Sequence, residues 1–410
     1  MNYFVKNIKV NKLLHLQDFS INIPEKSPHL IITGKNGTGK TILLKAIADF
    51  LDKIKIDSDF YFMGYRESLE YFKTQQANTP EEEFKISKLI DFNQRKIEEL
   101  YGKVEIDLID VVELIKQYQN NNFIISFYGA GRLANMIESK NPIKPNLQIP
   151  KESSSSLTNQ FLNFLSDLKI QEALARNEQQ FEDADKIKQW FESFENILQE
   201  IYEDKGLKLE FNYRDYSFFI VTEGKRFKFK EMSDGFISAI DIIADLILKM
   251  QTENSLTHAY EKRGIVLVDE IETHLHLELQ KIIMPLLTRV FPNIQFIVTT
   301  HSPFVLNSMN NAVAYDLEHR EVIDDLTEYS YEALAEGYFK VKTGSSYMEM
   351  RLNNLETLLA KDDLTKGESE QILSLIADFE KISEAASPAI KGGFLNLMVK
   401  YSEKIKTLKK

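Results

Sequence analysis

Gly34-Lys35-Asn36-Gly37-Thr38-Gly39-Lys40-Thr41 follows the apolar run Leu30-Ile31-Ile32 and leads directly into Ile42-Leu43-Leu44-Lys45-Ala46-Ile47. The order is strand, glycine-rich loop, helix, the context in which the G-x-x-x-x-G-K-[ST] spacing carries a mechanism. Glycines let the backbone curl so that successive amides point into one anion-sized hollow at a helix N-terminus, where the helix dipole favours negative charge. Lys40 is then placed to reach the β- and γ-phosphates of a nucleotide, and the Thr41 hydroxyl to ligate magnesium. Gly34, Asn36, Gly37, Thr38, Gly39, Lys40 and Thr41 are the candidate nucleotide contacts.

A second stretch supplies the other half of such a site. Ile265-Val266-Leu267-Val268-Asp269-Glu270 is an apolar strand ending in two acids. A carboxylate at the C-terminal end of a parallel strand lies in the crevice where ligands of these sheets bind. Asp269 would complete the magnesium shell with Thr41, and Glu270 would polarise an attacking water. One strand later Ile297-Val298-Thr299-Thr300 runs into His301-Ser302-Pro303, where a histidine can hydrogen-bond a γ-phosphate.

Outward from these motifs the chain reads in blocks. Residues 1–60 form the N-terminal part of a head: strands over Tyr3 to Val10, Leu16 to Ile23 and Leu30 to Thr33, then a helix from Thr38 to Leu51. Residues 61–122 are a helical insertion, with helices over Pro80 to Tyr101 and Asp107 to Tyr118. Residues 123–135 are a return strand, Phe123 to Phe127, and the loop Tyr128-Gly129-Ala130-Gly131-Arg132. Residues 136–206 hold a loop with Pro142, Pro145, Pro150 and Ser153 to Ser156, expected to be flexible or ordered only on contact, followed by a helical arm. Its stripe of Phe161, Phe164, Trp190, Phe191 and Phe194 reads as the packing face of a hairpin. Residues 207–328 return to the head, with alternating strands to Phe229, a helix from Met232 to Met250, the acidic strand, a helix at Leu275 to Val290 and the histidine strand. Residues 329–410 are helical and end in lysines.

Four motifs in this order, the glycine loop, Met232-Ser233-Asp234-Gly235-Phe236, Val266 to Glu270, and Thr300-His301-Ser302-Pro303, resemble the ABC-type ATPase superfamily. Within it they are similar to the SMC-like branch of AAA-family or OLD-like ATPases. The resemblance implies an α/β fold: an ABC-type P-loop ATPase head, a mixed sheet flanked by helices, with an inserted helical arm and a helical C-terminal region. It implies ATP and Mg2+ as cofactors, Thr41 and Asp269 as metal ligands, and Lys40, Glu270 and His301 as catalytic residues. Two heads would stack head to tail, with Ser233 and Gly235 of one contacting the γ-phosphate held by the other. Hydrolysis would then need at least a dimer. Glu272-Thr273-His274-Leu275-His276 falls where the dimer-facing loop is expected, its histidines in an interface or packing role. The family's glutamine between core and arm is not seen; Arg132 stands near its place.

Compact heads with an ending like Tyr329-Ser330-Tyr331-Glu332-Ala333-Leu334 and Tyr338-Phe339 resemble the ATPase partners of two-gene anti-phage systems. PARIS-type ATPases pair with a TOPRIM-like nuclease and Septu-type ATPases with an HNH nuclease. The resemblance implies a homo-oligomeric sensor or scaffold for a separate effector nuclease, with a phage protein as trigger. The acids Glu349, Glu356, Asp362, Asp363 and Glu380 are scattered on helices, without the strand-end pairing that would hold two metals, so any nuclease is expected on another chain. The alternative is an SMC-like ATPase that processes or repairs DNA; DNA binding separates the two readings.

Bulk properties narrow the field. The 410 residues contain no cysteine, which excludes disulfides, thiolate metal sites and a cysteine nucleophile and fits a reducing cytoplasm. No apolar run approaches the roughly 18 residues of a membrane span, and Met1 to Asn11 has no signal-peptide core, so a cytoplasmic location without membrane contact is expected. A net charge of -12 speaks against wrapping nucleic acid over the whole surface and leaves only a local basic groove for that purpose.

Overall fold

The computed structural model describes residues 3–57, 59–132, 136–138, 144–251, 260–323, 346–381 and 388–408. The chain divides into two units, residues 1–329 and 330–410. The first contains, in chain order, β1 (Val5–Leu13), β2 (Leu16–Asn22), β3 (His29–Thr33), α1 (Lys40–Lys55), α2 (Tyr61–Thr74), α3 (Pro80–Tyr101), β4 (Val104–Leu108), α4 (Val111–Gln119) and β5 (Phe123–Tyr128). It continues with α5 (Phe161–Asn177), α6 (Phe181–Ile201), β6 (Lys208–Asn212), β7 (Ser217–Thr222), β8 (Lys225–Lys228) and α7 (Asp234–Met250). β9 (Arg263–Val268), α8 (Leu277–Val290), β10 (Ile294–Thr299), α9 (Pro303–Leu306), β11 (Ala312–Asp316) and β12 (Glu321–Ile323) complete it.

The central sheet has the order β12-β11-β3-β10-β9-β5. All its pairings are parallel except that of β11 with β12. Every residue of β3 and β10 is buried, which is why these stretches read as unbroken apolar runs: a parallel strand is covered on both faces. Helices flank this mixed sheet, as the sequence led us to expect. Because β3, β10 and β9 are neighbours running the same way, the loops after them open side by side at one edge of the sheet.

A second, antiparallel sheet of order β2-β1-β4 shares a core with the first and is tied to it by, among other contacts, one buried amide. The Gln295 amide on β10 is fully buried; its oxygen accepts from the backbone N–H of Phe4 at 2.8 Å and Val5 at 2.7 Å, and its nitrogen donates to the Pro28 carbonyl at 2.7 Å. β4 corrects the expectation of a helix beginning at Asp107, because Asp107 lies in the strand and α4 starts only at Val111. Val104, Ile106 and Leu108 are buried and alternate with more open residues, and the strand pairs antiparallel with β1. α3 begins at Pro80 because the Thr79 hydroxyl caps the helix, accepting from Glu82 N–H, and Glu81, Glu82 and Glu83 complement the positive helix end.

In α1 the face carrying Leu43, Leu44, Ile47, Leu51 and Ile54 is buried. α7 is buried on all sides from Ser238 to Met250, as expected of a helix that is apolar nearly all round. α5 and α6 form the arm hairpin, and the aromatic stripe is its packing face: Trp190 stacks on Phe194 with ring centroids 5.6 Å apart and meets Phe164 edge-on at 5.5 Å.

The second unit contains α10 (Ser346–Leu359), α11 (Lys366–Glu380), α12 (Pro388–Lys400) and α13 (Ser402–Leu408) around a core of Leu355, Leu359, Ile372, Ile376, Phe379 and Phe394. Tyr329 to Leu334, Tyr338-Phe339, Lys409 and Lys410 lie outside the described residues. Among the described residues no group of three or more His, Cys, Asp or Glu could hold a metal ion. None of the described helices is long and apolar enough to cross a membrane.

Candidate functional site

Three glycines of the phosphate loop have left-handed backbones, Gly34 at φ 134°, Gly37 at 84° and Gly39 at 101°. At Gly34 the need for glycine is double, because a Cβ there would also come within 3.2 Å of Thr38 Oγ1 and 3.3 Å of the Glu318 amide nitrogen. Lys40 opens α1 and turns back into the loop, donating to the carbonyls of Gly34 at 2.7 Å and Lys35 at 3.0 Å. Burial pushes its ammonium down to about 8, against the pull of Glu270, Glu272, Asp269 and Asp316. Asn36 and Gly37 lie exposed at the tip, and Lys35 is tied by a 2.6 Å ion pair to Glu318, just after β11.

The acids sit where the sheet order puts them. Asp269 is buried, and its Oδ1 accepts from the Thr41 hydroxyl at 3.1 Å and the Thr299 hydroxyl at 2.7 Å. The Thr299 hydroxyl also accepts from the Glu270 N–H at 2.7 Å. Glu270 itself has a left-handed backbone, φ 44°, which is strained for a residue with a Cβ. Glu272 accepts from the Thr300 hydroxyl at 2.7 Å and from the backbone N–H of His301, and burial raises its carboxyl above the usual range. His301 is half-buried; burial first, and then the nearby Lys40 charge, lower its imidazole to about 4, so it is neutral near pH 7. In the sequence Thr299 has no role beyond membership of the histidine strand and Glu272 none beyond the expected dimer-facing loop; the available signal was their place beside residues that carry the motifs.

Arg132 lines the cleft beside Thr41 and Asp269 and is bonded to the acidic loop. Its buried guanidinium donates to the carbonyls of Asp269 at 2.8 Å, Glu270 at 3.2 Å and Ile271 at 2.9 Å, so it staples the acidic loop by its backbone. Within the serine run Ser153 is buried and its hydroxyl donates to Asp52 of α1 at 2.9 Å, whereas Pro142 lies outside the described residues. Beside the metal-side residues opens a cleft of about 670 Å³ lined by Thr41, Lys45, Arg132, Asn159, Asp241 and Asp269 among others.

Ser233 is exposed at the N-cap of α7, and its side chain makes no capping bond. Among the described residues neither Ser233 nor Gly235 is hydrogen-bonded to the phosphate loop of its own chain. Gly235 is instead pressed against the loop after β9, where a Cβ would approach the His274 carbonyl oxygen to 2.6 Å. Phe236 meets the His276 ring at 5.9 Å and stacks on Tyr202 at 4.0 Å. The His276 ring and the His274 carbonyl thus lie against the start of α7.

The residues present fit a magnesium nucleotide. Thr41 and Asp269 offer two converging oxygens to a hard cation that keeps several waters, and the loop with Lys40 offers an anion cradle. A cradle of this kind facing a strand-end carboxylate defines the phosphate-loop nucleotide-binding proteins. The family within that class follows from residues 30–307, which match the model described as "AAA domain, putative AbiEii toxin, Type IV TA system", and the chain belongs to it. The chain is similar to the Septu protein PtuA of Bacillus mycoides (strain KBAB4), 27% identical over 333 residues that make up 78% of this chain and 40% of that protein. It is similar also to the "Retron Vc95 probable ATPase" of Vibrio cholerae serotype O1 biovar El Tor, 29% identical over 40% of this chain and 29% of that protein. The matches therefore cover two-fifths or less of these relatives' own length. Among solved structures the chain is similar to that of the SmcHead bound to the C-winged helix domain of ScpA, with a TM-score of 0.39 and 14% identity over 80% of this chain and 100% of that one.

Proposed function

We propose that the chain hydrolyses ATP to ADP and phosphate between two copies set head to tail, and that the ATP-bound assembly is the sensor or scaffold for a separate effector nuclease in cytoplasmic anti-phage defence. The observation that carries the chemistry is the meeting of Thr41 and Asp269 at 3.1 Å beside the buried Lys40. Lys40 and the loop amides hold the β- and γ-phosphates. Magnesium, when bound by Thr41 and Asp269, neutralises charge that develops on the transferred group. Glu270 orients and deprotonates the water. His301, neutral, hydrogen-bonds the γ-phosphate. Ser233 and Gly235, exposed and buried respectively at the start of α7, serve the partner's nucleotide, the hydroxyl and the helix end supplying donors.

The defence role is supported by the likeness to the Septu protein PtuA and a retron ATPase. Septu-type ATPases pair with an HNH nuclease, and PARIS-type ATPases with a TOPRIM-like one; a phage protein is the trigger in this reading. The test is to co-purify the chain with the products of its neighbouring genes and to measure mass and ATPase rate, with and without ATP and duplex DNA. A nuclease in fixed ratio and turnover indifferent to DNA are expected. A lone protein whose turnover DNA accelerates would replace this reading with a DNA-processing ATPase. Within the same experiment Glu270→Gln should accumulate an ATP-bound dimer.

A further inference from the structure

The wall of the cleft that faces Thr41 and Asp269 comes from the segment Ser153–Asn159, between β5 and α5. Its residues divide by exposure: Ser153, Leu157 and Thr158 are buried, whereas Ser154, Ser156 and Asn159 are exposed. The buried members tie it to three elements of the head. Ser153 bonds Asp52 of α1 through its hydroxyl, and its carbonyl accepts from Phe127 N–H of β5 at 2.9 Å. Leu157 N–H donates to Asp245 Oδ1 at 2.5 Å, and the Thr158 hydroxyl donates to Asp241 Oδ1 at 2.8 Å, both on α7. Lys249 adds a bond to the Ser155 carbonyl at 2.8 Å and a 2.7 Å ion pair with Asp245. A segment fixed along its length presents its outward side chains in set positions.

Two of those side chains, Ser154 and Asn159, line the cleft with Thr41, Lys45 and Asp269, and among the described residues neither side chain has a hydrogen-bond partner. Ser156 is already engaged with Thr158 and Asp245, and Asp241 with Thr158. Magnesium is octahedral and reluctant to shed water. With Thr41, Asp269 and phosphate oxygens as ligands, about two of its positions remain for water in such a site. Those waters donate hydrogen bonds, and an amide side chain offers an acceptor for them together with donors for phosphate oxygens. We propose that Asn159, with Ser154 beside it, is a positioning residue that holds the water shell of the magnesium bound at Thr41 and Asp269. This rests on the Mg-ATP reading above.

The test uses Mn2+ in place of Mg2+ and the non-hydrolysable analogue AMP-PNP, with free Mn2+ counted by electron paramagnetic resonance. Asn159→Ala should weaken Mn2+ binding to the protein–AMP-PNP complex about tenfold, in the range typical of residues that support metal ligands. It should leave AMP-PNP binding in EDTA and the melting temperature at wild-type values, and Asn159→Gln should restore part of the loss. Wild-type Mn2+ affinity in Asn159→Ala and in the Ser154→Ala/Asn159→Ala double variant would overturn the assignment. So would a parallel loss of metal-free binding or melting temperature in Asn159→Ala, which marks a purely structural residue. If the wild-type protein itself bound no Mn2+ with AMP-PNP, the Mg-ATP reading would fall and this one with it.

Discussion

Thr299 and Glu270 sit at the ends of adjacent strands, and the hydroxyl of the first holds the backbone of the second: Thr299 Oγ1 accepts from Glu270 N–H at 2.7 Å while donating to Asp269 Oδ1 at 2.7 Å. One hydroxyl thereby fixes the orientation of the metal-side carboxylate and the strained backbone of the residue that follows it.

Thr299→Val keeps the shape and removes that hydroxyl. It leaves a part-buried N–H without its acceptor and Asp269 short of a donor, so unfolding free energy should drop by about 1–3 kcal/mol. Denaturant unfolding measures this; a variant as stable as wild type would show that the network contributes nothing.

With its ammonium at about 8, Lys40 loses its charge just above neutral pH in the nucleotide-free protein. Phosphate favours the charged form, so ATP affinity should fall as pH rises through 8, to roughly a tenth of its neutral value by pH 9. Calorimetry in buffers of different ionisation enthalpy should show close to one proton taken up on binding at pH 9 and none at pH 7. Lys40→Arg should be flat over the same range. PH-independent affinity in the wild-type protein would remove Lys40 from the phosphate site.

His301 and His29 both titrate near 4, through burial foremost. Unfolded histidines titrate near 6.5, so between about 6.5 and 4 the unfolded chain binds more protons and stability falls with falling pH. Above 6.5 the two add no pH dependence. Proton NMR of the imidazole Cε1–H signals should place both midpoints near 4, and hydrolysis should show no inflection from His301 between pH 5.5 and 7.5. An assigned His301 midpoint near 6.5 would contradict the neutral role given to it.

Gly235→Ala inserts a methyl group 2.6 Å from the His274 carbonyl oxygen, a contact only backbone movement relieves. ATP binding to the isolated head should persist, because the phosphate loop is untouched. ATP-driven dimerisation and turnover should fall at least about tenfold if α7 serves the partner's nucleotide, a loss of about 1.4 kcal/mol. Sedimentation of the variant in a Glu270→Gln background reads it directly, and a normal ATP-bound dimer would exclude a role for this helix end in assembly.

The phosphate loop, β3, β9, β10 and α3 were legible because each carries a local rule: glycines before a helix, unbroken apolar runs, a capped and proline-started helix. β4 was not, since Val104 to Leu108 is short, half charged and follows a long helix whose periodicity can be read through it. Arg132 stands near the place of the family's glutamine by its position in the chain, which left its partners open; they include three carbonyls 137 to 139 residues away. Ser153 and Thr158 look like linker residues, and only their distant acceptors, Asp52 and Asp241, make them structural. Sequence periodicity reports which face is buried; it does not report what a polar side chain finds there.

The strand order also sets a timetable for synthesis. β3 is made early, yet its neighbours in the sheet are β10 and β11, and the Gln295 amide that receives Val5 lies 290 positions downstream. At roughly 5–20 residues per second a ribosome needs about 15–60 s to deliver it. Over that interval the arm hairpin α5–α6, with contacts close in sequence, can form on the nascent chain, while the apolar strand before the phosphate loop stays unpaired. β1 and β2 pair with each other as soon as both are made, so β3 is the strand that waits, and the nucleotide site is completed only after β9 and β10 have been delivered.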